Sequence, residues 1–181
     1  LVDRAFIGNA TYLDGLGLAG ITIATPFTFI SMAFSMLFSV GGSVLYSIQL
    51  GKKQTAEAEK TLGYSTMLLV LSSLLYMVIC ILFLNPLLNL FGATPTALPY
   101  AKEYIIYLLP GFFFQMVGMG LNTFIRADGS PKIAMISMLI GAAVNTVLDP
   151  IMIFVFRWGM MGAALATTIG QLCAMIWVFW Y

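Results

Sequence analysis

Asp149 is the residue with the strongest claim to chemistry. It stands in an uncharged run that reaches from Lys132 to Arg157, with Asn145 four positions before it and Pro150 directly after it. A carboxylate inside a membrane span costs about 2.5–3.5 kcal/mol on insertion scales, so it must be either used or compensated. A spacing of four places the Asn145 amide and the Asp149 carboxylate on one face of a helix. Pro150 has no N–H to give, which frees a carbonyl near Thr146 and lets the helix bend there. A bare charge is disfavoured in low dielectric, and oxygen donors suit small hard ions. The pattern therefore suits uptake of a proton or a cation. The plain alternative is a hydrogen-bonded Asp that pins a kink.

Nothing else offers a reaction centre. Histidine is absent, no nucleophile stands with a base, and no metal-ligand spacing occurs, so we expect neither an enzyme nor a bound cofactor. The net charge is +1 and the only basic doublet is Lys52-Lys53, which leaves no footprint for nucleic acid. Cys80 and Cys173 lie in apolar runs and read as packing residues.

The elements that would hold Asp149 follow from composition. Of 181 residues, 61% are hydrophobic and 8% charged, against about 25% charged in a soluble domain. Lipid is thus the natural solvent for most of this surface. The gaps between charges mostly hold the roughly 20 apolar residues that cross a bilayer. Sustained two-residue alternation is missing, so helices are expected rather than barrel strands. The fold class is all-α, a polytopic transmembrane helix bundle forming one unit over residues 1–181. It comprises a stub at about 1–8 and helices at about 16–50, 61–84, 104–125, 133–156 and 160–181. The third of these should stop at Asn85-Pro86, followed by a short interfacial piece over 86–91. The chain opens at Leu1 and closes inside an apolar stretch, so it reads as a fragment of a longer protein.

Lys52, Lys53 and Lys60 follow one span, and Arg126 and Lys132 follow another. Arg4, Lys102 and Arg157 fall on the opposite side. The excess of positive charge puts the first two connections in the cytoplasm. Helical rise then sets depth. Asp149 lies roughly 10–12 Å from the outer end of its helix. Thr167 lies about two turns inward from the same side, Asp3 about one and a half turns before its stub ends there, and Tyr104 opens its helix there. Tyr104 and Thr167 alone would read as an interfacial anchor and a packing hydroxyl. Gln115 and Asn122 are candidate cavity-lining residues, and the many methionines and phenylalanines could form a pliable apolar surface. Arg126-Ala127-Asp128-Gly129-Ser130-Pro131-Lys132 reads as a tight turn whose charges anchor helix ends.

Several segments in this order resemble the multidrug and toxic compound extrusion (MATE) family. They are Val2-Asp3-Arg4-Ala5-Phe6-Ile7-Gly8, Leu16-Gly17-Leu18-Ala19-Gly20, Pro99-Tyr100-Ala101, Phe124 through Lys132, Asn145-x-x-Leu148-Asp149-Pro150, and Gly159-x-x-Gly162-Ala163-Ala164-x-Ala166-Thr167. The resemblance implies one six-helix lobe, the N-terminal one with its first helix truncated, of a twelve-helix MATE-type transporter. It implies an antiporter that exports small organic, often cationic, compounds in exchange for protons or sodium ions. In one prokaryotic branch of that family the coupling residues are an Asp on the first helix, a Tyr on the fourth, an Asn and an Asp on the fifth and a Thr on the sixth. The matching positions are Asp3, Tyr104, Asn145, Asp149 and Thr167, with Pro150 as the helix-bend. Sodium, if it is the coupling ion, would sit at Asp3, Asn145 and Asp149. The implied partners are the lipid bilayer, small organic cations and a C-terminal lobe of the same chain. The implied location is the cell (plasma or inner) membrane of a prokaryote, as a multi-pass protein. The alternative within the same superfamily is an exporter of lipid-linked oligosaccharides or polysaccharides, whose cavities tend to be basic.

Overall fold

A computed structural model describes residues 6–8 and 15–181, and every regular element among them is helical. After a helical turn at 6–8 come α1 (Leu16–Gly51), α2 (Thr55–Leu82), the short α3 (Leu84–Leu90), α4 (Leu98–Ala127), α5 (Pro131–Pro150) and α6 (Gly159–Trp180). A five-residue π-helical turn, Ile151–Val155, continues α5. α1, α2, α4, α6 and α5 with its π extension are long and apolar enough to cross a membrane.

The helix ends differ from the sequence expectation for identifiable reasons. α2 starts at Thr55 rather than near 61, carrying Glu57, Glu59 and Lys60 as exposed residues, with Lys60 Nζ 2.8 Å from Glu57 Oε1. Charge ends the apolar core of a span but does not end a helix, whose first turns can project into water. α2 gives way at Phe83 rather than at Asn85-Pro86, and Pro86 falls in the first turn of α3. The missing N–H is no loss there, because first-turn amides have no partner inside the helix. The same rule lets α4 begin at Leu98 with Pro99 in its first turn. Tyr104 therefore does not open its helix but sits nearly two turns inside it. The span expected to run as one helix to 156 loses its α ladder after Pro150 and widens into the π turn.

α4 is the axis of the bundle, packing against α6, α1 and α2. Its core face includes Ile105, Phe112 and Met116, all essentially inaccessible. Side-chain bonds to backbone carbonyls stitch the helices together. Ser35 Oγ donates to Met116 O (2.9 Å), Tyr76 OH to Phe27 O (2.7 Å) and Thr168 Oγ1 to Tyr107 O (3.1 Å). Each such bond between membrane helices is worth about 0.6–2 kcal/mol. α5 is the least enclosed. Only 11% of the apolar window over Pro131–Val155 is buried, against 61% for α4, so α5 rests on α6 by one face and leaves the other open.

The α5–α6 crossing is close. A Cβ on Gly170 would lie 2.8 Å from the Gly141 carbonyl oxygen and 3.4 Å from Asn145 Cβ, so only glycine fits at this position. The two backbones thus meet one turn from Asn145, at the height where α6 presents Thr167.

Candidate functional site

Asn145 sits at the centre of the site. Its Nδ2 donates to Asp149 Oδ1 at 3.4 Å, along its own helix, and to Thr167 Oγ1 at 3.1 Å, across to α6. An amide nitrogen carries two hydrogens, so one group can serve both acceptors. The first bond comes from helical spacing, the second from the Gly141–Gly170 approach. Asp149 is fully buried, whereas Asn145 and Thr167 are half-buried.

Directly after Asp149, Pro150 ends the α ladder and the π turn begins. Ile153 of that turn is fully buried, and Phe154 meets Phe6 edge-on at 6.2 Å between ring centroids. The helical turn at 6–8 is thereby packed onto the segment that follows Asp149. Tyr104 is buried in the apolar cluster that also holds Ile7, Ile153 and Ala163. Asp3 lies outside the described residues.

A cavity of about 440 Å³ opens between α1, α4, α5 and α6. Gln115, Asn122, Asn145 and Thr167 line it, together with Ser35 and Gln171. Asp149 is not among the lining residues, so the Asn145–Thr167 bridge stands between cavity and carboxylate. Asn122 also bonds across helices, donating from Nδ2 to Ala134 O (2.8 Å) and Ser137 Oγ (2.6 Å) of α5. Among the described residues no three His, Cys, Asp or Glu side chains come together to hold a metal ion.

The end of the bundle at the α4–α5 turn carries contacts that sequence reasoning misses. Gly129, with φ 87°, shapes the turn. Asp128 accepts from two tyrosines there, with Tyr46 OH donating to its Oδ1 at 2.9 Å and Tyr181 OH to its Oδ2 at 2.6 Å. The carboxylate beside it pushes the Tyr181 phenol above its ordinary range. Arg126, read as an anchoring charge, lines the cavity and donates from Nε to Asn122 Oδ1 at 3.1 Å. The four-residue spacing of Asn122 and Arg126 is the signal that could have found this pair.

A family model described as MatE matches residues 1–151. The multidrug export protein MepA of Staphylococcus haemolyticus (strain JCSC1435) is 30% identical over 182 aligned positions, covering 100% of this chain and 40% of MepA. The solved structure of the MATE multidrug transporter DinF-BH, in a ligand complex, superposes with a TM-score of 0.91 at 32% identity, covering 99% of this chain and 40% of that one. The bent form of the Vibrio cholerae MATE transporter VcmN gives 0.90 at 27% identity, with coverages of 99% and 40%. The chain thus spans about 40% of the length of the proteins it matches.

Proposed function

We propose that this chain, which belongs to the MatE family, is the N-terminal lobe of an antiporter that exports small organic compounds, often cationic, in exchange for protons or sodium ions across the cell membrane. The observation that carries the reading is the Asn145 amide, which joins a fully buried Asp149 to a cavity-lining Thr167. A buried carboxylate one helical turn behind a substrate-sized cavity can exchange its ion without touching the substrate. The multidrug export name of the staphylococcal relative and the multidrug transporter name of DinF-BH support the substrate class.

In this mechanism Asp149 takes up the coupling ion, and Asn145, Thr167, Tyr104 and Asp3 shape its site. A proton on Asp149 leaves the carboxylate neutral and weakens its hold on the Asn145 amide. Sodium needs oxygen ligands, so it would bind here only after that amide turned to present Oδ1. Either event alters the bonds directly before Pro150. The π turn that follows is the least regular backbone in the span and carries the contact between Phe154 and Phe6. Ion uptake is thereby linked to the packing of residues 6–8 and to the opening of the cavity. The lipid-linked oligosaccharide alternative calls for a basic cavity, and among the described residues Arg126 is the only basic one lining this cavity.

The test is export of a fluorescent lipophilic cation by the full-length protein in proteoliposomes, under an imposed proton gradient and, separately, a sodium gradient. Export driven by one of them is the expected result. Absence of transport under both contradicts the reading.

A further inference from the structure

We infer that Arg126 is an anion-recognition point at the mouth of the cavity, so that this transporter binds amphiphiles carrying a carboxylate together with an apolar body better than it binds their purely cationic counterparts. Among the described residues Arg126 is the only charged one lining the cavity, and no carboxylate lines it. The remaining wall is made of amides, hydroxyls, methionines and apolar groups such as Phe114. A wall of this kind solvates a flat apolar body but offers no counter-charge to a cation.

Arg126 is exposed, but its guanidinium is braced from within the bundle. Asn122, only 4% exposed, gives its amide hydrogens to α5, at Ala134 O and Ser137 Oγ. That fixes its carbonyl oxygen toward Arg126 Nε at 3.1 Å. Nη2 rests 3.2 Å from the Met138 thioether, a weak acceptor that an anionic oxygen would readily displace. The neighbouring carboxylate is engaged elsewhere, since Asp128 takes the Tyr46 hydroxyl on one oxygen and the Tyr181 hydroxyl on the other. Lys60–Glu57 is the only salt bridge among the described residues, so no carboxylate among them neutralises Arg126. A residue that only anchored a helix end would need neither the Asn122 brace nor a place in the cavity wall. A planar guanidinium with N–H donors to spare matches a carboxylate in two-point geometry.

The inference deepens the export reading and rests on it for its physiological meaning, but its test is binding alone. Fluorescence anisotropy would measure the Kd of purified full-length protein, in a neutral detergent, for a rhodamine ethyl ester (a cation) and for its parent carboxylic acid (a zwitterion on the same ring system). Wild type should prefer the acid by about fivefold, the scale of a partly solvated charge-assisted pair. Arg126→Gln should abolish that preference by weakening the acid about fivefold and not weakening the ester, and Arg126→Lys should keep part of it. An unchanged acid-to-ester ratio in Arg126→Gln, or an equal loss for both dyes, would overturn the assignment. So would loss of the wild-type preference on adding phosphatidylglycerol, which would give the guanidinium to lipid headgroups. Failure of gradient-driven export in proteoliposomes would strike the antiport reading and leave these affinities untouched.

Discussion

Asn145 matters more than its neutral side chain suggests, because the two bonds it donates link a buried carboxylate to the cavity wall. Removing the amide with Asn145→Ala leaves Asp149 and Thr167 in place but without that link. We predict a shift of about tenfold in the proton or sodium concentration giving half-maximal export, the scale of a lost hydrogen bond to a charged group. Substrate affinity should change little. A matched pair of ion and substrate titrations on reconstituted protein checks this, and an unchanged ion dependence would remove Asn145 from the coupling path. Asn145 and Asp149 are legible as a pair in the sequence because four-residue spacing belongs to one helix. Thr167 enters only through a depth estimate and a family resemblance, since its meeting with Asn145 depends on where two helices cross. Arg126 shows the opposite fault. Its place beside Gly129 and Pro131 makes a turn anchor the natural reading; four-residue spacing pairs it with Asn122, but the bonds that fix the Asn122 amide show only once α5 is packed.

Helices set these distances, and the α5–α6 crossing sets the most consequential one. Gly170→Val would place side-chain atoms against the Gly141 carbonyl and the Asn145 backbone. Overpacking of this kind costs about 1–3 kcal/mol, and the expected result is a lower melting temperature together with the ion-dependence shift predicted for Asn145→Ala. Gly63→Ala supplies the control, because a Cβ there meets nothing within 4 Å. It should leave the ion dependence as it is and hold or slightly raise the melting temperature, since alanine is favoured over glycine inside a helix, as judged by ion titration and by thermal unfolding in detergent. Proline explains why element ends are harder to read than element identity. Pro86, Pro99 and Pro131 all lie in first turns, where proline is tolerated, whereas Pro150 lies where the α ladder stops. A proline's effect depends on the side of a helix boundary it occupies, which sequence spacing alone leaves open.

At the scale of the molecule, composition alone shows that lipid is the main solvent, because so few charges cannot cover a soluble surface of this size. It cannot distinguish an apolar face meeting lipid from one meeting another lobe, and the open side of α5 is such a face. In the proposed reading a second lobe completes the cavity, in keeping with the chain's span of about 40% of its relatives. Orientation can be tested directly. In a cysteine-free background, Lys53→Cys on the α1–α2 connection should react with an impermeant maleimide only from the cytoplasmic side. Thr94→Cys, between α3 and α4, should react only from the outside. The reverse pattern would overturn the charge-based orientation and place Arg126 at the outer mouth of the cavity.

The most direct test of the central claim, that Asp149 couples ion movement to export, compares wild type with Asp149→Asn in full-length protein reconstituted at equal density. Gradient-driven export of a lipophilic cation should fall to the background of empty liposomes in Asp149→Asn, while membrane insertion and dye binding stay at wild-type level. Gradient-driven export at the wild-type rate would contradict the account and leave Asp149 as a residue that holds a helix bend.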